Sequence, residues 1–409
     1  MKLDQLIKNL CPNGVEYVRL GDIGKFYGGL TGKSKDDFKD GNCKFVTYKN
    51  VYSNPALDLN PIETVRIGEN EKQRVLEYGD IIFTGSSETP DECGFSSVVT
   101  EVPSEKLYLN SFCFIFRLND VSILNPNYAK HIFRSHDLRI QIKRTASGVT
   151  RFNVSKDKMA KVIIPLPPLT IQEEIVRILD SFTSLTAELQ AELQARKNQY
   201  KFYLNSFFES IECEKVTLSS LGTLKRGKRF VHADDMDSGV PCIHYGELYT
   251  YYGVYADTVK THIREELREK MRYATTGDVV IVGAGENNID IGVGVAWLGN
   301  YDVAIHDACY TLHHKQNPKF ISYFLRTDMY HNQIKKYVYE GKICSISAEN
   351  VGKALIPLPS IEEQDRIVSI LDRFDKLCNN MSLGLPAEID ARQKQYEYYR
   401  DIILSFDFS

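Results

Sequence analysis

The sequence predicts an α+β fold in which two mixed α/β domains are separated by two long antiparallel coiled-coil helices and related by a pseudo-two-fold axis. Three observations predict it. Ile164 to Phe182 reads IPLPPLTIQEEIVRILDSF and Ile356 to Phe374 reads IPLPSIEEQDRIVSILDRF, identical at 11 of 19 positions, and ARKNQYKFY (195–203) is echoed by ARQKQYEYY (391–399). Each repeated block begins a stretch with the apolar spacing of a coiled coil. Ahead of each block lie short β-rich runs broken by Gly, Asn, Asp and Pro. A period of about 190 residues is too long for a solenoid unit and fits duplication of a whole domain with its connecting helix.

The elements follow in chain order. Residues 1–165 form the first domain, with strand signals at Lys44–Tyr48, Asp80–Phe83 and Phe112–Phe116, and one helical stretch from Asn127 to Lys143. Residues 166–210 form the central helix, whose seam runs through Ile171, Ile175, Ile178, Phe182, Leu185 and Leu189. After one extra four-residue step it resumes at Leu193, Arg196, Tyr200, Tyr203 and Phe207. That step is a stutter, and its source is the tandem tetrapeptide Thr186–Leu189 and Gln190–Leu193.

Residues 211–357 form the second domain, with strand signals at Asp278–Val282 and Gly292–Trp297 and a helical stretch from Lys319 to Val338. Val18, Leu20, Gly24, Gly79-Asp80, Gly85 and Glu88 return here as Val216, Leu218, Gly222, Gly277-Asp278, Gly283 and Glu286, all at an offset of 198. Residues 358–409 carry the second seam, through Ile367, Ile370, Phe374, Leu377 and Met381, then Ile389, Arg392, Tyr396, Tyr399 and Ile403. Gly384 and Pro386 divide it into two helical pieces, with Pro386 in the first turn of the second. A long apolar seam is unstable in water, so the two connectors are expected to pack on each other, antiparallel.

Composition bounds the function. The chain has 409 residues, 43% hydrophobic and 25% charged, enough for two cores. It contains no run of 18 apolar residues, and its first residues lack the features of a signal peptide, so a cytoplasmic protein with no membrane partner is expected. Nine scattered cysteines, never spaced as CxxC, point to reduced thiols rather than a disulfide framework or zinc site. The net charge of −4 divides into +3 over 1–165, −2 over 166–210, −1 over 211–356 and −4 over 357–409. The acid excess sits on the connectors, so nucleic-acid contact would have to come from local basic patches or partner subunits.

The two Ile-Pro-Leu-Pro…Gln…Ile-Val…Ile-Leu-Asp-x-Phe blocks, the Ala-Glu-Leu repeat, the terminal Glu388–Tyr399 run and the opening Cys11-Pro-Asn-Gly14-Val-Glu-Tyr17 together resemble the DNA-specificity subunits of type I restriction–modification systems. The resemblance covers essentially the whole chain. It implies that the two domains are target-recognition domains, each reading one half of a split site on double-stranded DNA. It further implies that two methyltransferase subunits and two restriction (motor-nuclease) subunits supply the chemistry. One departure is the weak basic character of the second domain. Two other readings stay open: a two-headed protein-interaction scaffold, and a specificity subunit of a type IIB-like system or a silent cassette.

No catalytic site, cofactor, metal or small-molecule substrate is expected. Gly28–Ser34 ends like a phosphate-binding loop, but Tyr27 stands where the first glycine is required. The Asn-Pro pairs at 54, 60, 125 and 317 lack the second proline of an adenine methyltransferase motif, and no Glu-x-Lys follows Pro90-Asp91 as a nuclease would need. His313 and His314 are adjacent, so on a strand they face opposite ways and cannot share a metal with Asp307.

DNA reading needs cationic and amide side chains at groove depth and at phosphates. The candidates are Lys33, Lys35, Tyr48, Lys49, Asn50, Ser86 and Arg151 in the first domain, and Lys225, Arg226, Lys228, Arg229, His244, Tyr245 and Lys342 in the second. Candidates for docking partner subunits are the acidic, Gln and Tyr positions expected to face outward on the connectors: Gln172, Glu173, Tyr200, Gln364, Asp365 and Tyr396.

Overall fold

The computed structural model describes residues 3–379 and 384–406. The chain divides into two compact units, Met1–Glu188 with Asp390–Ser409, and Leu189–Ile389. Met381 of the second seam lies outside the described residues.

The first unit is built on an antiparallel four-stranded sheet in the order Gly24–Gly28, Cys113–Leu118, Ile81–Thr84, Ser96–Val98. Ile81–Thr84 is buried at every residue, which is why it reads as an unbroken apolar run rather than an alternating one. A three-stranded sheet of Thr64–Val65, Cys43–Val46 and Leu107–Leu109 packs beside it around Val46, Ile82, Leu109 and Ile115. On the helical side, Phe83, Phe116, Tyr128 and Phe133 fill a core shared with Ile171, Ile175 and Leu179.

The second unit repeats the plan. Gly222–Arg226, Cys309–His314, Val279–Val282 and Gly294–Trp297 lie in the same order, with Tyr255–Ala256 added at the edge. A second five-stranded sheet carries Asp235–Met236, Thr261–Ile263, Val240–Ile243, Val303–Ile305 and Tyr273–Ala274. In both units a short antiparallel pair stands at the domain margin: Tyr17–Arg19 with Ile163–Pro165, and Lys215–Thr217 with Leu355–Pro357.

The repeated Gly-Asp pairs have a common cause. Gly79 and Gly277 hold φ +83° and +93°, a left-handed turn that glycine adopts at little cost. The next residue, Asp80 or Asp278, is buried and accepts the backbone N–H of Glu77 or Thr275 at 2.8 Å, closing the turn into the buried strand. Arg117 also hydrogen-bonds Asp80 at 2.7 Å, and His313 reaches Asp278 at the same distance. His313 is exposed and His314, on the opposite face, is half-buried, so the adjacent histidines do part as expected.

The stretches expected as single helices are pairs. Pro126–Ile132 and His136–Lys143 are separated at Ser135, whose backbone is extended (φ −66°, ψ 155°). Pro318–Phe324 and Asp328–Ile334 are separated at Thr327, whose side chain accepts the N–H of Tyr330. In the second pair the Thr327 hydroxyl restarts the helix as an N-cap; in the first, Ser135 holds the N-cap position without a side-chain cap and its hydroxyl instead donates to the Ile132 carbonyl, closing the preceding helix.

The central helix, α1, runs unbroken from Leu169 to Glu209, 41 residues, or about 60 Å. Two helices follow the second domain, α2 (Ile361–Asn379) and α3 (Leu385–Ser405), with Pro386 in the first turn of α3 as expected. Within the second unit α1 and α2 are antiparallel: Tyr203 packs on Phe374 (ring centroids 5.2 Å), while Arg196 and Lys197 come within electrostatic reach of Cys378. Within the first unit the Phe182 and Tyr399 rings stack at 5.4 Å.

The buried line of α1 departs from the expected seam. Ile171, Ile175, Leu179 and Thr186 are buried, whereas Leu185 is exposed and Ile178 only half-buried. The first four turns of α1 lie against the globular core, which selects a 3.6-residue face rather than the 3.5-residue coiled-coil line.

Candidate nucleic-acid interface

The first unit presents a concave arrangement at the end of its main sheet, and the second repeats part of it. In the first, Thr47 caps the short helix Tyr48–Ser53, bringing Tyr48 and Tyr52 onto one face with rings 6.2 Å apart and nearly parallel (15°). Ser86–Ser87 form a two-residue strand paired with Phe152–Val154, at the end of the turn that carries Arg151. Together with Glu88, Glu92, Phe112 and Thr150 these residues line a cavity of about 550 Å³. Arg151 is exposed, donates to the Ser86 hydroxyl at 3.1 Å and lies 5.2 Å from the centre of the Phe112 ring. Burial raises the Tyr48 phenol above its ordinary pKa, against the lowering effect of Thr84 and Ser87, so it stays a neutral donor and acceptor.

In the second unit Tyr245 and Tyr249 also stand four residues apart, but Tyr245 lies in the turn ahead of the short helix Glu247–Thr250; Ala284–Gly285 takes the position of the serine strand, and Lys342 lies in the turn before Cys344–Ser345. Its basic run is exposed at Lys225, Arg226, Lys228 and Arg229. Arg226 donates to the Asp307 carbonyl at 2.6 Å, and Arg272 to the Arg226 carbonyl.

Several expected readers are otherwise engaged. Lys33, its side chain only 8% exposed, donates to the Arg66 carbonyl at 2.6 Å and to Glu71 at 2.5 Å. That hydrogen bond holds the Glu71 carboxyl at about 2. Asn50 lies at the start of a helix, not at a strand end, and its amide bonds both the N–H and the C=O of Asp58, fixing the loop. Ser86 is buried beneath Arg151, and His244 is buried with its Nε2 at 2.9 Å from Asp235. Lys35, Lys49 and Lys342 are exposed as expected.

Two stretches of the chain, 12–196 and 210–391, each match the family model of the type I restriction modification DNA specificity domain. The chain belongs to this family. The specificity-domain family thus accounts for both halves of the duplication. Among its relatives, the EcoR124I/EcoR124II specificity subunit of Escherichia coli is 34% identical over 283 residues, 62% of this chain and 65% of that one. A candidate type I restriction enzyme specificity subunit of Haemophilus influenzae is 30% identical over 283 residues, 64% of this chain and 68% of that one. A solved chain from work on complex assembly and conformational transition of the type I R-M system shares the fold, with TM-score 0.61 at 18% identity, covering 96% of this chain and 97% of that one.

The blocks that mark the specificity-domain family have a structural reason in each unit. Gln172 is fully buried; it accepts the N–H of Asn125 at 2.8 Å and donates to the carbonyls of Ile123 and Pro167. Gln364 does the same with the N–H of Asn317, the Pro359 carbonyl and Gln316. Asp180 receives His131 and Lys130; Asp372 receives Tyr323 and Lys319. The repeated Gln and Asp therefore latch each globular domain onto its helix.

The outward placement expected of four docking candidates is corrected accordingly. Gln172 and Gln364 are buried latches, and Tyr396 is buried with its hydroxyl at 2.8 Å from His131. Tyr200 is half-buried and packs on the second core. Glu173 and Asp365 are exposed, though Asp365 also accepts from the Asn317 amide. The most exposed aromatics of the described helices lie two residues farther on: Phe202 and Tyr398, 65% and 63% exposed. The repeat ARKNQYKFY/ARQKQYEYY carried that signal, because position 202 is turned about 200° from 200 on a helix and must face away from a buried tyrosine.

Proposed function

We propose that this chain is a non-catalytic DNA sequence-specificity subunit of a type I restriction–modification complex. The recognition domains span 1–165 and 211–357, and each reads one half of a bipartite site on double-stranded DNA. The helices of 166–210 and 358–409 set the gap between the halves and dock two methyltransferase subunits. Restriction subunits join through that complex and supply cleavage. The observation that carries this reading is the duplication of one scaffold, in which each copy sets a two-residue strand beside a basic turn (Ser86–Ser87 with Arg151, Ala284–Gly285 with Lys342), the copies being joined in sequence by an unbroken 41-residue helix. Paired readers on one duplex require a spacing tied to the helical turn, and a stiff helix supplies a fixed length.

Arg151 has the geometry of a base or phosphate reader: planar, exposed and backed by Phe112. Substituting it with Ala in the assembled methyltransferase complex is expected to weaken binding to a split-site duplex by about 1–3 kcal/mol. Gel-shift titration at several salt concentrations measures this. Binding that neither falls with salt nor responds to R151A would contradict a DNA-reading role.

A further inference from the structure

We propose that the second unit holds a binding site for one divalent transition-metal ion, of the zinc class, formed by His232, Asp235 and His244. Their ligand atoms all lie within 4.8 Å of one another. His232 Nδ1 stands 2.9 Å from one Asp235 oxygen and His244 Nε2 stands 2.9 Å from the other. The two imidazoles stack at 4.6 Å and 18°, each with a nitrogen against one of the two oxygens of the same carboxylate. Zinc takes nitrogen at about 2.0–2.1 Å and carboxylate oxygen at about 2.0–2.2 Å, which sets neighbouring ligand atoms about 3–3.5 Å apart. A small rotation of the exposed His232 ring closes the set.

The site is built into the fold. Asp235 opens the strand Asp235–Met236, which pairs with Thr261–Ile263; that strand in turn pairs with Val240–Ile243, and His244 follows directly. The backbone N–H of His244 is fixed on Glu247 at 3.0 Å, and Phe230 meets the His244 and His306 rings edge-on, walling one side. Side-chain exposure rises from 7% at His244 through 29% at Asp235 to 86% at His232. The ion would thus enter from the His232 side and keep an open position toward solvent. Two imidazoles and one carboxylate suit zinc, cobalt or nickel better than magnesium or calcium. The spacing His-x2-Asp-x8-His matches no common zinc motif, so only the strand pairing brings the three together. A bound ion would add two positive charges near the exposed Lys228 and Arg229, but the site stands whether or not this domain binds DNA.

The test uses the full chain, stripped with a chelator and titrated with cobalt(II), then zinc(II), by absorbance and calorimetry. One equivalent is expected to bind, with a cobalt spectrum free of thiolate charge transfer despite the nine cysteines. His232→Ala and Asp235→Asn should each weaken binding about tenfold or more. His232→Ala, at an exposed position, should leave the melting temperature of the metal-free chain unchanged and abolish the rise that zinc gives the unsubstituted protein. No stoichiometric binding, binding unaltered in both variants, or a thiolate-bound cobalt spectrum would overturn the proposal.

Discussion

Gln172 shows what a single repeated side chain does here. One fully buried amide satisfies an N–H and two carbonyls where Ile123–Asn125 and Pro167 meet at the head of the central helix. Removing it takes that partner from the buried Pro167 carbonyl and from the half-buried Asn125 N–H and Ile123 carbonyl, and a buried group left unsatisfied costs more than a made hydrogen bond returns. Gln172→Ala should therefore lower stability by about 2–4 kcal/mol in urea unfolding, and a loss under 0.5 kcal/mol would show that the latch does not hold. At this scale the sequence was legible only in part. Identity between the two blocks marked Gln172 and Gln364 as special, but nothing in a repeat tells a buried polar anchor from an exposed contact. Lys33 and Asn50 were similarly opaque, since their partners, Glu71 and Asp58, are set by loop geometry rather than by spacing. Arg151 and the run at 225–229 proved exposed because their neighbours are turns and edge strands, which local glycines do announce.

Among the elements, the helices were the most legible. Period, stutter and proline gave an unbroken α1 and a divided second connector, because a helix of that length is governed by local periodicity and breakers. The phase of the buried face was not legible, since the globular core pulls Leu179 inward in place of Ile178. The paired short helices were missed for a related reason: a single hydroxyl residue stands at each break, Thr327 capping the next helix and Ser135 closing the one before. The corrected phase leaves Phe202 and Tyr398 outward at equivalent positions of α1 and α3. Exposed aromatics on a helix, each set against the ring of the next residue, suit anchoring in a partner's pocket, where truncating a hot-spot residue costs about 2 kcal/mol or more. The double variant F202A/Y398A should lose co-purification with the methyltransferase subunits while keeping its own melting temperature. Retained co-purification would place docking elsewhere.

For the whole molecule, duplication was plain from the sequence, while the sheet order and the second five-stranded sheet were not, because non-local strand pairing leaves little local trace. The fold also sets a pH response that no motif records. Burial lowers the pKa of His131, opposed by its hydrogen bond to Asp180, and burial likewise lowers His306, His314 and His331, each partly offset by neighbouring groups; His314 falls to about 4. Unfolded chains protonate these rings near their ordinary value of about 6.5, whereas the native state resists until lower pH. Stability contributed by these neutral histidines is complete above about 6.5 and is lost as pH falls toward about 4. Thermal melts should thus be level from pH 7 to 8 and decline steadily from about 6.5 to 4; a melting temperature that rises across that interval would contradict the burial argument.

The measurement closest to the central claim is a genome-wide map of methylated adenines in cells carrying the unsubstituted chain or one lacking Gln190–Leu193. Four residues of helix amount to about 6 Å, against about 3.4 Å per base pair. The predicted result is a two-part motif whose halves are the same in both strains and whose gap changes by one or two base pairs with the deletion. A gap that stays put, or half-sites that change with it, would contradict a helix that spaces two independent readers.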